Sequence, residues 1–316
     1  MRKQGIKRGM SVLSAFIIGF TTVAGLMGSG ITTKAATNIS NPRVADDGTV
    51  TWDKVTFGSY YQDMNDIVTE PIKWRILSVN ENGTDAFLLA DKALDCMPYN
   101  SAGVQKSDAY GHVNIDYSST WKNCTLRSWL NGTFYNTAFS TNEKEAVLTT
   151  TVDNSTTSEV EGNVDTTDKV YLLSEAEAYN TEYGFDGNKF ASNKRAALLT
   201  DYAYINGAYC SAVTSNGGNC KWWLRSPQQD ITVISSVNES GSGAYDITLF
   251  SASGISKYIN SNAVRPVIHV DLTKACMNNS YAGTTSSDGT GNEVTNQALP
   301  AISSLNPVVD EDSGVV

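Results

Sequence analysis

KWWLRSP, residues 221–227, is the stretch on which the fold turns. In a strand, successive side chains alternate, so Trp222 and Leu224 face one way while Trp223 and Arg225 face the other. Pro227 limits continuation, because proline offers no amide to a ladder. One face of such a strand enters a core. The other meets a loop, a ligand or a second sheet. Large aromatics carry much apolar area, and an indole N–H needs an acceptor when buried. Two readings are open: packing, or an aromatic ligand-binding face.

Similar segments follow. ITVISSV (231–237), AYDITLF (244–250) and AVRPVIHVDL (263–272) read as strands, separated by SPQQD, NESGSG and SASG. Glycine and small polar residues suit the reversals between them. Upstream, VTFGSYY (55–61) is a strand candidate. PIKWRILSV (71–79) and DAFLLAD (85–91) flank NENG (80–83), which predicts a hairpin. TLRSWLNGTFYNTAF (125–139) has helical character, but Gly132 argues against an uninterrupted helix. DKVYLLSEAEAYNTEY (168–183) starts as a strand and changes at Ser174, where Ser174 and Glu177 have the spacing of a capping box. KRAALLTDYAY (194–204) also has helical potential. The expected class is α+β: an irregular, mixed, mainly antiparallel β core with short helices.

The ends read differently. Residues 1–36 join a basic start, a long apolar stretch and small residues near Ala35 and Ala36, the order of an export signal. The apolar stretch is also long enough to be read as a retained anchor. The expected division is a signal peptide (1–36), a short linker (37–47), one globular domain (48–274) and a flexible polar, acidic tail (275–316). No second membrane-spanning stretch follows the signal.

The whole chain has 23 basic and 33 acidic side chains, a net −10; without residues 1–36 it has 18 against 33, a net −15. That balance disfavours nonspecific nucleic-acid binding. Export permits disulfides. Cys210–Cys220 and Cys96–Cys124 are the local pairings, which leaves Cys276 over; free, partly buried thiols are the alternative. Neither His112 nor His269 stands in an HExxH motif, no GxSxG elbow is found, and the EF-hand pattern is missing. No catalytic residue, metal site or cofactor is expected.

Arg127, Arg225 and Arg265 each lie beside apolar sequence. Such arginines brace loops through carboxylates or backbone carbonyls, or gather into an anion site. Glu175, Glu177 and Asp271 are candidate internal partners. A sugar-binding reading takes Trp222 or Trp223 as a stacking face and Asn131, Asn238 and Glu239 as polar contacts.

LRSWLNGTFYNTAF, VYLLSEAEAY, WWLRSP and AVRPVIHVDL occur in this order, and together they resemble a bacterial domain-of-unknown-function family, number 6273, over roughly residues 50–272. The resemblance implies an exported or surface protein, extracellular or attached to the cell surface, of a Gram-positive bacterium. WWLRSP followed by VRPV also resembles C-type-lectin-like and formylglycine-generating-enzyme-like folds. The lectin calcium signatures EPN, QPD and WND are missing, as is a match to the paired active-site cysteines of the oxidising enzymes. Fold likeness transfers no chemistry by itself. The expected function is a secreted or surface-associated, non-enzymatic binding or adhesion domain. Its expected partners are a glycan, a cell-envelope polymer or a surface protein. A purely structural envelope protein and a glycan-active enzyme are the alternatives.

Overall fold

The computed structural model describes residues 39–298 except 66, 101–103, 108–112, 117–119, 156–162, 214–216, 229–232 and 248–261. The expected export signal, His112 and residues 299–316 lie outside the described residues. The described residues belong to one compact unit.

Two antiparallel-rich sheets carry the fold. The larger has the order β10-β15-β4-β3-β2-β16-β17, with β1 pairing beside β2. Its strands are β1 (Arg43–Val44), β2 (Val50–Tyr61), β3 (Thr69–Val79), β4 (Asp85–Ala90), β10 (Val170–Tyr171), β15 (Val267–Asp271), β16 (Tyr281–Ser286) and β17 (Gly291–Gln297). The smaller sheet has the order β13-β12-β11-β14-β5. It comprises β5 (Asp95–Cys96), β11 (Trp222–Pro227), β12 (Val233–Val237), β13 (Gly243–Ile247) and β14 (Ala263–Val264). β11 pairs in parallel with β14; the other pairings in both sheets are antiparallel. Two ribbons, β6 (Val104–Ser107) with β7 (Val113–Asp116) and β8 (Thr150–Val152) with β9 (Thr166–Asp168), complete the described strands. Helices are short: α1 (Thr125–Trp129), α2 (Tyr135–Ala138), α3 (Thr141–Lys144), α4 (Glu175–Ala178) and α5 (Asp201–Ile205). The architecture is mainly antiparallel β with a few short helices, as the sequence predicts.

β3 is the middle of the large sheet, and its alternation separates two jobs. Trp74 and Ile76 are fully buried. The Trp74 ring lies 6.4 Å from Phe139, which also meets Phe57 at 5.3 Å. The Trp74 indole donates to the Phe57 carbonyl at 2.7 Å, so a large apolar ring is buried without a stranded donor. Lys73 and Arg75 stand on the opposite face.

Gly132 does not break the 125–139 helix. A π-turn, Leu130–Phe134, joins α1 to α2 without a gap. One wide turn absorbs the irregularity. The Ser174–Glu177 capping box is formed at α4. The 194–204 helix is confined to α5, whose start is capped by Thr200 accepting from the Ala203 amide at 3.1 Å.

Described structure continues past the expected domain limits at both ends. Within the expected linker, Ile39 is fully buried and Arg43 bridges Asp53 at 2.9 Å. Within the expected tail, β16 pairs with β2 and β17 pairs with β16. Polar, glycine-rich composition misleads here because a sheet edge that is half solvated needs few apolar side chains. Gly283 makes this edge possible. It adopts φ +92°, and a Cβ there would lie 1.7 Å from the Asn292 carbonyl oxygen.

Gly283→Ala is therefore expected to cost at least about 2 kcal/mol, combining left-handed strain with a backbone collision. Gly132→Ala is the contrast: a Cβ meets nothing within 4 Å, and helix propensity favours alanine by up to about 1 kcal/mol. Urea melts of both variants check this pair of opposite signs.

Candidate ligand-binding cleft

Four strands place a row of positions side by side: Glu293 on β17, Gly283 on β16, Lys54 on β2 and Arg75 on β3. Gly283 has no side chain to interpose. The Glu293 carboxylate therefore reaches across β16 to the Lys54 ammonium, and also accepts from Lys73 at 2.5 Å. Lys54 is only 3% exposed at its side chain. Asp91, just past β4, accepts from Arg75 Nε at 2.6 Å and lies 3.9 Å from Lys54 Nζ. The Arg75 guanidinium in turn lies 5.2 Å from the Trp52 ring centre, a cation–π contact.

Arg265 holds this row from below. It donates to the carbonyls of Ala90 at 2.8 Å, Asp91 at 3.3 Å and Arg195 at 3.4 Å. Its guanidinium lies 5.1 Å from the Trp222 ring centre. Burial, and after it the neighbouring Arg75, pull Arg265 below its ordinary pKa, while Asp91 opposes them; the guanidinium still stays charged near neutral pH. Burial alone raises Asp91, but Arg75, Lys54 and Arg265 outweigh it and hold the carboxyl below its ordinary value. Glu293 behaves likewise: burial raises it, and Lys54 with Lys73 bring it down.

Two cavities open over this row and share Asp91 and Lys92. One, of about 680 Å³, is bordered by Gln62, Glu70, Lys73 and Glu293. The other, of about 340 Å³, is bordered by Arg75, Asn193, Asn219, Thr285 and Asp288. Lys92 is exposed and makes no ion pair among the described residues. Lys54, Lys73, Arg75 and Lys92 are set against Glu70, Asp91, Asp288 and Glu293, so the cleft is near neutral on an acidic chain. Donors and acceptors alternate along it. Among the described residues, no group of three or more His, Cys, Asp or Glu is arranged to hold a metal ion.

The residues singled out in the sequence do not share one site. Trp222 and Trp223 are 0% and 1% exposed, and their indoles donate to the carbonyls of Arg195 at 3.3 Å and Met97 at 3.0 Å. Neither ring offers an open face. Arg225 is buried; it pairs with Glu177 and donates to the carbonyls of Leu172 and Asp153 and to Asn154 Oδ1. Arg127 bonds Asp168 at 2.7 Å, and Asn131 accepts from the amides of Lys169 and Val170 at the start of β10. Asn238 caps the β12–β13 turn by accepting from the amides of Ser240 and Ser242. Glu239 sits in the same turn, with Oε2 buried and without a hydrogen-bond partner. Only Arg265 reaches the cleft, through the Asp91 backbone. The sequence reading missed Lys54, Lys73, Arg75, Asp91, Lys92 and Glu293. The alternation of Lys73 and Arg75 in β3 was the available signal.

None of the five cysteines is in a disulfide, so the expected pairings are not formed in the structure. Cys124 donates to the Trp121 carbonyl and caps α1 by accepting from the Arg127 amide, both at 3.3 Å. Cys96 lies on β5 with its thiol 3.7 Å from the Asn262 carbonyl. Each of these two thiols has its own hydrogen-bond partner. Cys210 and Cys220 face each other across an antiparallel bridge without an S–S bond.

Asp91 supplies a pH test. Its folded pKa is depressed, so its contribution to stability is present above the unfolded value, about 3.9, and is lost as pH falls through the lower folded value. Asp91→Asn is expected to melt lower at pH 7, by about 3–5 kcal/mol of stability. Its melting temperature should also fall less steeply below about pH 4. Thermal melts from pH 7 down to pH 2 read both effects.

No helix among the described residues is long and apolar enough to cross a membrane. No curated protein and no solved structure matches the chain. The model of a domain of unknown function, DUF6273, matches residues 69–272, which begin at β3 and end just past β15. That range covers well over half of the chain and includes Arg75, Asp91, Arg225 and Arg265, while Lys54 and Glu293 complete the cleft from outside it. The chain belongs to the DUF6273 family.

Proposed function

We propose that this chain is a secreted or surface-associated, non-enzymatic binding domain whose cleft takes a hydroxyl-rich ligand, a glycan or another polymer of the bacterial envelope. The single observation that carries this reading is the balanced row of ion-paired side chains under two cavities that share Asp91 and Lys92. A sugar hydroxyl both donates and accepts, and such a row presents carboxylate oxygens and cationic N–H groups in turn. Their mutual ion pairs hold them in place before a ligand arrives, which reduces the ordering cost of binding. Near-neutral charge favours an uncharged polymer over a strong polyanion or polycation.

The proposal includes export by residues 1–36 and a C-type-lectin-like arrangement of the chain. The second rests on short irregular strands joined by loops, with WWLRSP at the centre of the smaller sheet. The proposed lectin likeness is one of architecture and transfers no calcium site. The buried tryptophans do not contribute a stacking face to this cleft.

Glycan arrays and co-sedimentation with purified envelope polymers test the reading. Wild type is expected to bind, and Lys73→Ala/Lys92→Ala to bind about tenfold more weakly, the loss of one to two net hydrogen bonds. Lys189→Ala, away from the cleft, should bind as wild type. Failure of wild type to bind any polymer returns the chain to a structural role. Release of shortened products makes it a glycan-active enzyme.

A further inference from the structure

Cys210 and Cys220 are direct partners in an antiparallel β-bridge. The Ser211 amide donates to the Asn219 carbonyl at 2.9 Å, one residue inside the bridge on each strand. That pattern makes the two cysteines a non-hydrogen-bonded pair, the class in which facing Cα atoms stand about 4.5 Å apart. A disulfide takes Cα atoms about 4.4–6.8 Å apart. Gly217 and Gly218, at φ +55° and +82°, turn the chain back so that the two strands can face. The Cys210 thiol donates to the Gly218 carbonyl at 3.2 Å. The Cys220 amide is tied to the Ala197 carbonyl at 2.8 Å, so one side of the bridge is anchored in the folded body.

We propose that Cys210 and Cys220 are a dithiol built to close into a disulfide, which staples the turn carrying Asn219 at the border of the cleft. The oxidant is a small-molecule disulfide. The half-exposed Cys210 thiol loses its proton and attacks one sulfur of that reagent, forming a mixed disulfide and releasing one thiol. Cys220 then loses its proton and attacks the Cys210 sulfur, forming the protein S–S bond and releasing the second thiol. Two S–H bonds are lost, one S–S bond is made, and the reagent takes both electrons and both protons. Cys210 must react first. Cys220 is fully buried, and burial pushes its thiol up to about 12, so the reagent meets the more accessible Cys210 first. The inference does not depend on what the cleft binds.

The test uses the full chain, reduced and then incubated with oxidised glutathione. Trypsin releases residues 196–221 as one peptide whose only cysteines are Cys210 and Cys220. After oxidation this peptide is expected to be about 2 Da lighter and to resist alkylation. The melting temperature should rise on the order of 5 °C, as expected for closing a short loop, and fall back when a phosphine reductant is added. Cys210→Ala, changed at the more exposed thiol, should abolish the rise and leave the reduced melting temperature near that of wild type. A 196–221 peptide that stays open to alkylation, or a link from Cys220 to Cys96 instead, overturns the proposal.

Discussion

A backbone carbonyl taken out of water must be given a donor, and in this chain the donor is repeatedly a buried arginine. Arg195 gives three N–H groups to the carbonyls of Gly241, Asp186 and Phe190. Arg225 ties Leu172 to Asp153, and Arg265 ties Ala90 and Asp91 to Arg195. Each guanidinium also lies 5.0–5.6 Å from the centre of an aromatic ring: Tyr179, Tyr171 and Trp222 respectively. The planar fork suits this task better than a lysine, because five donors leave one group in fixed directions. Short strands and long loops can then pack inward without stranding their polar atoms. The three arginines are at most 2% exposed, so removing one would leave several buried carbonyls without partners.

The same interaction positions the cleft. Arg265 fixes the Asp91 backbone, and the Asp91 carboxylate then meets Arg75 and Lys54 from a set direction. Ion pairs of this kind often return little net stability, since desolvation offsets most of the Coulomb gain. Their effect here is geometric. A row of long, otherwise mobile side chains is held in one arrangement at the floor of an open space. Rigidity of that sort matters to a binding surface more than to a core, because ordering the side chains no longer has to accompany ligand capture.

KWWLRSP shows what was legible and where reading stopped. The strand, its alternation and the need of each indole for an acceptor are all present in seven letters. What alternation cannot reveal is that both faces of β11 are covered, so that all six of its residues are buried. A ligand-facing reading of Trp222 or Trp223 assumes an open side, and segments distant in sequence close it. Arg225 and Glu177 were each visible as candidates, but their meeting depends on a separation of 48 residues. The cleft was harder still. Glu293 lies in a run of Gly, Thr, Asn and Ser whose composition looks like a tail, and its role appears only when Gly283 lets it reach Lys54. Spacing along a chain carries no information about a contact made across an empty position on a third strand.

The limits of the family match make a related physical point. Residues 69–272 end short of β2, β16 and β17, yet β2 lies beside the central strand of the larger sheet and supplies Trp52 and Val55 to the core, both fully buried. Without β2, one whole edge of β3 would face water with unpaired amides and carbonyls, and Trp74 would lose the Phe57 carbonyl that satisfies its indole. The matched segment therefore cannot be the complete folding unit in this chain. The flanking strands close the sheet, and in doing so they bring Lys54 and Glu293 to Asp91. Completing the core and completing the cleft are here one structural event.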